Sequence, residues 1–190
     1  ELIEQRLQDP ARRRLLRAAG RHVFGPELAR LGWADQRGDD PQTLKLRGAL
    51  IELLAKFDDA TTIEEALKRF DADESRHAPL AASIRSQVLE AAGMHADRAR
   101  FSQLMARFKA ARGEEDRWVY ASALSGGRDE QRARELMAAS LAGVTAPNIA
   151  IALPGLVSSQ SPFGELAYNF TLEHWDELAK LAGDAMGGRY

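Results

Sequence analysis

An apolar quartet with helical spacing occurs four times in this chain: Ile63, Ala66, Leu67, Phe70; Phe101, Leu104, Met105, Phe108; Ala133, Leu136, Met137, Ser140; and Phe163, Leu166, Ala167, Phe170. Positions i, i+3, i+4 and i+7 share one face of an α-helix. In the first three cases the quartet closes 23 residues after an arginine, Arg47 leading to Phe70, Arg85 to Phe108 and Arg117 to Ser140. A second helical stripe fills each interval: Leu50, Ile51, Leu53, Leu54, then Val88, Leu89, Ala91, Ala92, then Tyr120, Ala121, Ala123, Leu124. Each repeat therefore reads as a helix pair. A single pair cannot cover both of its own stripes, so neighbouring pairs must stack into an α-solenoid.

The anchoring positions 47, 85, 117 and 147 are 38, 32 and 30 residues apart. Such drift fits an armadillo/HEAT-like stack better than the stricter tetratricopeptide or ankyrin periods. The predicted fold is all-α, stacked helix pairs in one helical-repeat domain over 1–190. Within it, N-terminal helices and a loop occupy 1–40, repeat units occupy 41–70, 79–108, 114–140 and 147–170, and a capping helix occupies 171–183. The cap carries its own stripe of Trp175, Leu178, Ala179 and Ala182.

Local punctuation places these elements. Pro10 opens a helix that Gly25-Pro26 is predicted to break before a short turn through Leu31. Asp40-Pro41 caps the Arg47 helix, and Thr61 with Glu64 or Thr62 with Glu65 offers a capping box for its partner. Pro79 is predicted to start the Arg85 helix, and Asp129 to cap the third quartet's helix after the Gly126-Gly127 turn. Pro154 falls inside the first helix of the last unit. The stripe aromatics Phe70, Phe108, Phe163 and Phe170 are all assigned to the core.

A chain of 190 residues with 45% hydrophobic and 28% charged residues can build a core without staples. Its lack of cysteine excludes disulfides, thiolate metal sites and cysteine nucleophiles together. A formal net charge of −2 and a pI near 6.1 give no global electrostatic footprint for nucleic acid or an acidic membrane. No apolar run approaches the length of a spanning helix, so no membrane partner is predicted. One local cluster stands out: Arg12, Arg13, Arg14, Arg17 and Arg21 lie along one predicted helix, and either solvent or further sequence can face them.

Catalytic patterns are missing. Histidines 22, 77, 95 and 174 are scattered, none at metal-ligand spacing with a second histidine or carboxylate. Ser158, Ser159 and Ser161 lack a nucleophile-elbow glycine pattern, and no glycine-rich run resembles a phosphate cradle. The acidic groups Asp39-Asp40, Asp58-Asp59 and Glu114-Glu115-Asp116 sit where helix caps and dipoles account for them. The repeated arginines Arg47, Arg85 and Arg117 are the candidate site residues. They could hold peptide carboxylates in a groove, or stitch one repeat to a carboxylate or helix-end carbonyl of its neighbour.

The order Leu31-Gly32-Trp33, Leu46-Arg47, Phe70, Ile84-Arg85, Phe101, Phe108, Asp116-Arg117, Ala123-Leu124, Gly164, Ala167, Phe170 and Trp175-Asp176-Glu177-Leu178 resembles the C-terminal helical domain of zinc aminopeptidases. The enzymes in question are of the aminopeptidase N and puromycin-sensitive type. The resemblance runs from about Leu31 to Leu181 and is most specific from Gly164 to Leu178. It implies a parent that removes N-terminal residues from peptides, with zinc held in an upstream catalytic domain and no catalytic, cofactor or metal residue in this segment. It also implies partners: the upstream catalytic and N-terminal domains of the same polypeptide, and peptide substrates. The chain begins at Glu1 and is shorter than the family's helical domain, so the reading is a fragment of a longer one. The domain's implied role is to enclose the active-site chamber and limit peptide access. The alternative is a free-standing helical-repeat scaffold that binds a protein or a nucleic acid.

Overall fold

Aspartates start the helices. Asp9 Oδ1 accepts from the Ala11 amide at 2.8 Å, Asp40 Oδ1 from Thr43 at 2.7 Å, Asp59 Oδ1 from Thr62 at 2.9 Å, Asp97 Oδ1 from Arg100 at 2.8 Å and Asp129 Oδ1 from Arg132 at 2.9 Å. Each bond satisfies an amide that the first helical turn leaves without a partner. The computed structural model describes residues 9–74 and 78–187, so His77 lies outside the described residues. Among those residues it is all-α, with ten helices and no strand. They are α1 (Pro10–Leu31), α2 (Pro41–Lys56), α3 (Ala60–Glu74), α4 (Arg85–Met94), α5 (Arg98–Ala110), α6 (Glu114–Ser125), α7 (Glu130–Leu141), α8 (Pro147–Gln160), α9 (Gly164–Glu173) and α10 (Trp175–Gly187).

The four apolar quartets fall on α3, α5, α7 and α9, each the second helix of a pair, the fourth starting one residue ahead of α9 at its N-cap Phe163. The preceding stripes fall on α2, α4 and α6, the first helices. This is the packed helix-pair arrangement of an α-solenoid. Contacts divide the chain into two compact units that meet between Ala91 and Ala92, within α4.

In the first unit α1 packs on α2 and α2 on α3. Leu28, Leu50, Ile51, Leu54, Ala66 and Phe70 are buried there. Asp58, in the α2–α3 turn, has φ of 58°, a left-handed conformation that aspartate tolerates better than most residues. Helix α1 holds this turn from outside, with Arg17 ion-paired to Asp58 and Arg21 donating to the Phe57 carbonyl oxygen.

In the second unit α8 is the hub, packing against α6, α7, α9 and α10. Its sequence contains no charged residue, as burial on several sides demands. Ile149, Ala150, Leu153 and Val157 are enclosed. Pro154 is buried in the same helix without ending it. At the start of this unit a Cβ placed on Gly93 would overlap the Ala123 carbonyl oxygen, so α4 and α6 touch backbone to backbone at that point. Only glycine permits this approach.

Several local expectations are corrected. Gly25-Pro26 does not break α1, which runs on to Leu31. Glycine at position 25 has no Cβ to meet the proline ring, which relieves part of the restriction on the residue before proline, and the site is partly solvent-facing. Helix α4 begins at Arg85 rather than Pro79, because the residues between are tied elsewhere. The Leu80 amide donates to Asp73 Oδ1 at 3.2 Å and the Ala78 amide to the Ala72 carbonyl at 3.4 Å. Asp59, not a Thr-Glu box, caps α3, and it also accepts from the Thr62 hydroxyl at 2.7 Å. Phe70 and Phe108 are fully buried, but Phe163 and Phe170 are only half-buried. Helix α9 packs chiefly on α8, with a smaller contact to α10. Phe170 instead faces the His174 ring, with centroids 4.6 Å apart. On α10 Leu178 is buried while Trp175 and Ala179 are exposed, so the predicted stripe is only partly used.

Two substitutions test this packing by denaturant melts. Phe108→Ala removes a fully enclosed ring and is expected to cost about 3–5 kcal/mol. Gly93→Ala forces α4 away from α6 and is expected to cost about 1–3 kcal/mol, against the small gain that alanine brings to an open helix. A neutral or stabilising effect at position 93 would show that the helices do not meet there.

Candidate functional site

Arg47 is the most completely enclosed polar side chain of the molecule's described part, with 0% of its surface exposed. It lies on the α2 face that carries Leu50, Ile51 and Leu54, so its guanidinium is drawn inward with them. Burying a guanidinium is tolerated only when its donors are satisfied. Here Nε donates to the Gly32 carbonyl at 3.1 Å, Nη1 to Asp35 Oδ1 at 3.1 Å and Nη2 to Asp39 Oδ2 at 2.6 Å. All three acceptors belong to the loop between α1 and α2.

That loop starts at Gly32, the C-cap of α1, whose φ of +67° suits glycine. Its other contacts extend the network. Asp35 Oδ1 also accepts from the Ser83 hydroxyl at 2.6 Å, and Asp39 Oδ2 from the Gln36 amide at 2.9 Å. Trp33 packs against the buried Ala55, Ala66 and Ala91, and the Arg69 guanidinium stacks 5.2 Å from the Trp33 ring centroid. The Gln36 amide first, and then the Arg47 guanidinium, hold the Asp39 carboxyl below the usual carboxylate range.

The other two candidate arginines are placed differently. Arg85 is the first residue of α4 and is half-buried. Arg117, on the first turns of α6, is also half-buried, and its Nε donates at 2.8 Å to the carbonyl of Ala111, the residue that ends α5. Arg47 thus binds the loop before its helix and Arg117 the helix end before its own.

Sequence reasoning missed other cross-links in the second unit. Arg132 donates to the Ala96 carbonyl, Arg98 pairs with Glu135 at 2.5 Å, and Arg128 Nη2 approaches Met94 Sδ at 3.4 Å. Asn148 Nδ2 donates to Glu114 Oε1 at 2.7 Å. These residues lie at helix starts and turns, outside the quartet register, so periodicity could not single them out. The available signal was position: Arg98, Arg128 and Arg132 flank the capping residues Asp97 and Asp129.

Among the described residues, no three His, Cys, Asp or Glu side chains converge as a metal site would require. His174 Nδ1 lies 3.5 Å from the Glu177 carboxylate. Among the described residues the donor set does not fit a zinc ion. Also among the described residues, no helix is long and apolar enough to cross a membrane.

The lowered Asp39 carboxyl gives a pH test. A folded-state pKa below the unfolded value of about 3.9 contributes stability above that value, lost as pH falls through the folded one. Asp39→Asn is therefore expected to lower the melting temperature at neutral pH. The gap from the parent chain should close as pH drops below about 3.9. A gap that is constant from pH 7 to strongly acidic conditions would remove the charge of Asp39 from the network's role.

The family model described as the ERAP1-like C-terminal domain matches residues 1–190, the whole of the chain. The chain belongs to that family.

Proposed function

From membership of the ERAP1-like C-terminal domain family, which makes this chain a domain of an aminopeptidase, we propose that it encloses the active-site chamber of its parent enzyme. In that position it limits which peptides enter and leaves bond cleavage to the upstream catalytic domain, where the parent's zinc is held. Residues 1–190 act as part of a longer helical domain, in repeat units 41–70, 79–108, 114–140 and 147–170 with the terminal helix after them. The observation that carries this reading is the family match over the full length. The geometry supports it, since the polar side chains described above are spent on holding helices and loops together rather than on a reacting centre.

Peptide contact in this reading falls on Arg85 and Arg117, which are half-buried, rather than on Arg47, which is sealed. A wall of this kind acts on parts of a peptide distant from the reacting bond, so its effect depends on substrate length. The test assays the parent enzyme with and without residues 1–190 on a dipeptide-sized reporter and on longer peptides. Loss of the segment is expected to change selectivity among long peptides more than turnover of the reporter. Arg85→Ala and Arg117→Ala in the full enzyme are expected to raise KM for long peptides and leave the reporter's kcat unchanged. Equal losses on both substrates would assign the segment a purely stabilising part.

A further inference from the structure

Helix α9 is apolar on two opposite faces. The quartet side, where Ala167 is fully buried, turns to the rest of its unit. On the other side Tyr168 and Leu172 are 63% and 57% exposed, and Trp175, the first residue of α10, is 62% exposed. These three follow at i, i+4 and i+7, so they form one line. The helical step carries across the junction of the two helices, because the His174 amide donates to the Phe170 carbonyl at 3.1 Å and the Leu178 amide to the His174 carbonyl at 3.0 Å. Exposed Ala179 extends the line by a further turn.

The other second helices are built differently. Among the described residues of α3, α5 and α7 no large apolar side chain is exposed, and positions such as Lys68, Lys109, Gln131 and Arg134 face water instead. A solvated helix face is polar, whereas a contiguous line of large apolar groups marks a surface that meets a partner.

The spacing of the line gives the shape of that partner. Tyr168, Leu172, Trp175 and Ala179 alternate by four, three and four residues, the a/d rhythm by which one helix receives the side chains of another. The seam is about 16 Å long, three helical turns. Glu165 continues it at its start and Asp176 lies beside it, both exposed. Side chains at and beside such a seam select the charge of the partner helix, so lysine or arginine fits here and glutamate is repelled. The stack itself shows the relation that such a helix would continue. Helix α5 packs on α6 and α7 on α8, so the second helix of one pair receives the first helix of the next. After α9 the chain turns back, and α10 packs mainly on α8.

We propose that the line of Tyr168, Leu172 and Trp175 is an interlayer face that receives a further amphipathic helix of the parent's helical domain, apolar along its seam and carrying lysine or arginine on the edge that meets Glu165 and Asp176. This rests on the reading of residues 1–190 as part of a longer helical domain. A helix on the same polypeptide is present at high effective concentration, which favours its seating on a seam of only three turns.

Two measurements test this. The first uses the 190-residue chain and a fluorescein-labelled designed helix with leucine at a and d and lysine at e and g, with binding read by anisotropy. Leu172→Glu alters an exposed side chain and should leave the circular dichroism spectrum unchanged. It is expected to weaken binding by about tenfold or more, as is replacing the lysines of the designed helix by glutamate. Ala106→Glu, the same kind of change at an exposed position of α5, is expected to leave binding unaltered. The second measurement uses the parent enzyme, where the face is already occupied and the designed helix is expected not to bind. Leu172→Cys is made in the parent and in the 190-residue chain, which has no cysteine of its own, and maleimide labelling at that position is followed by peptide mass mapping. Labelling is expected to be slower in the parent by about tenfold or more, since it must wait for local opening.

Equal labelling rates would show an open face in the parent and overturn the proposal. So would binding of the designed helix by the 190-residue chain that ignores Leu172→Glu, or equal affinity for the glutamate version. Binding by the parent as tight as by the 190-residue chain would make the occupant a separate polypeptide. Self-association of the chain that Leu172→Glu abolishes, with no designed helix bound, would make it a second copy. Either result overturns the assignment to the parent's own helix. Binding and labelling are independent of peptide turnover, so this proposal and the wall reading fail separately.

Discussion

Every helix pair in this chain has apolar residues on more sides than its own two helices can cover, and the fold follows from that constraint. Helix α8 shows the consequence most directly. It has no charged side chain and is enclosed by α6, α7, α9 and α10. Helix α9, with neighbours on fewer sides, leaves Phe163 and Phe170 half-buried although their spacing matches that of the enclosed Phe101 and Phe108. Equivalent positions in a repeat are thus buried to the degree that a next layer exists to bury them.

Polar groups in such a stack have a structural task, because loops and helix ends must be held against a core built from helix faces. Arg47 does this by bringing its three guanidinium nitrogens into the apolar side of α2 and giving each an acceptor on the preceding loop. The geometry is strict. Guanidinium is planar and always charged, so its fork fixes Gly32, Asp35 and Asp39 relative to one another. In the second unit the same kind of task is spread over shorter reaches, with Arg117 on the Ala111 carbonyl and Arg132 on the Ala96 carbonyl. The wall proposed above would need a defined surface more than reactive groups, and these ties hold one in place.

The site residues chosen by register illustrate where sequence reasoning stops. The 23-residue interval identified Arg47, Arg85 and Arg117 as equivalent, yet one is sealed in a network and the other two are half-buried. Equivalence in sequence fixes which helical face a residue occupies. It does not fix what the adjoining loop offers as acceptors, and the loop before Arg47 contains Asp35 and Asp39 while only a helix end precedes Arg117. Arg98, Arg128 and Arg132 were invisible to the register for the opposite reason: they lie at helix starts, where no periodicity operates.

The sequence by itself determined that this protein is built from helix pairs, and which faces of those helices turn inward, because a 3.6-residue period records the side that must leave water. It also contained the family resemblance, carried by many weakly specific positions in a fixed order. Tertiary structure alone decided how far each face is covered, that α1 continues through Pro26, that α4 starts at Arg85, and that α4 and α6 touch at Gly93 and Ala123. Those outcomes depend on which atoms from distant parts of the chain arrive at one place. A local pattern specifies a residue's own face, while its partners are set by packing.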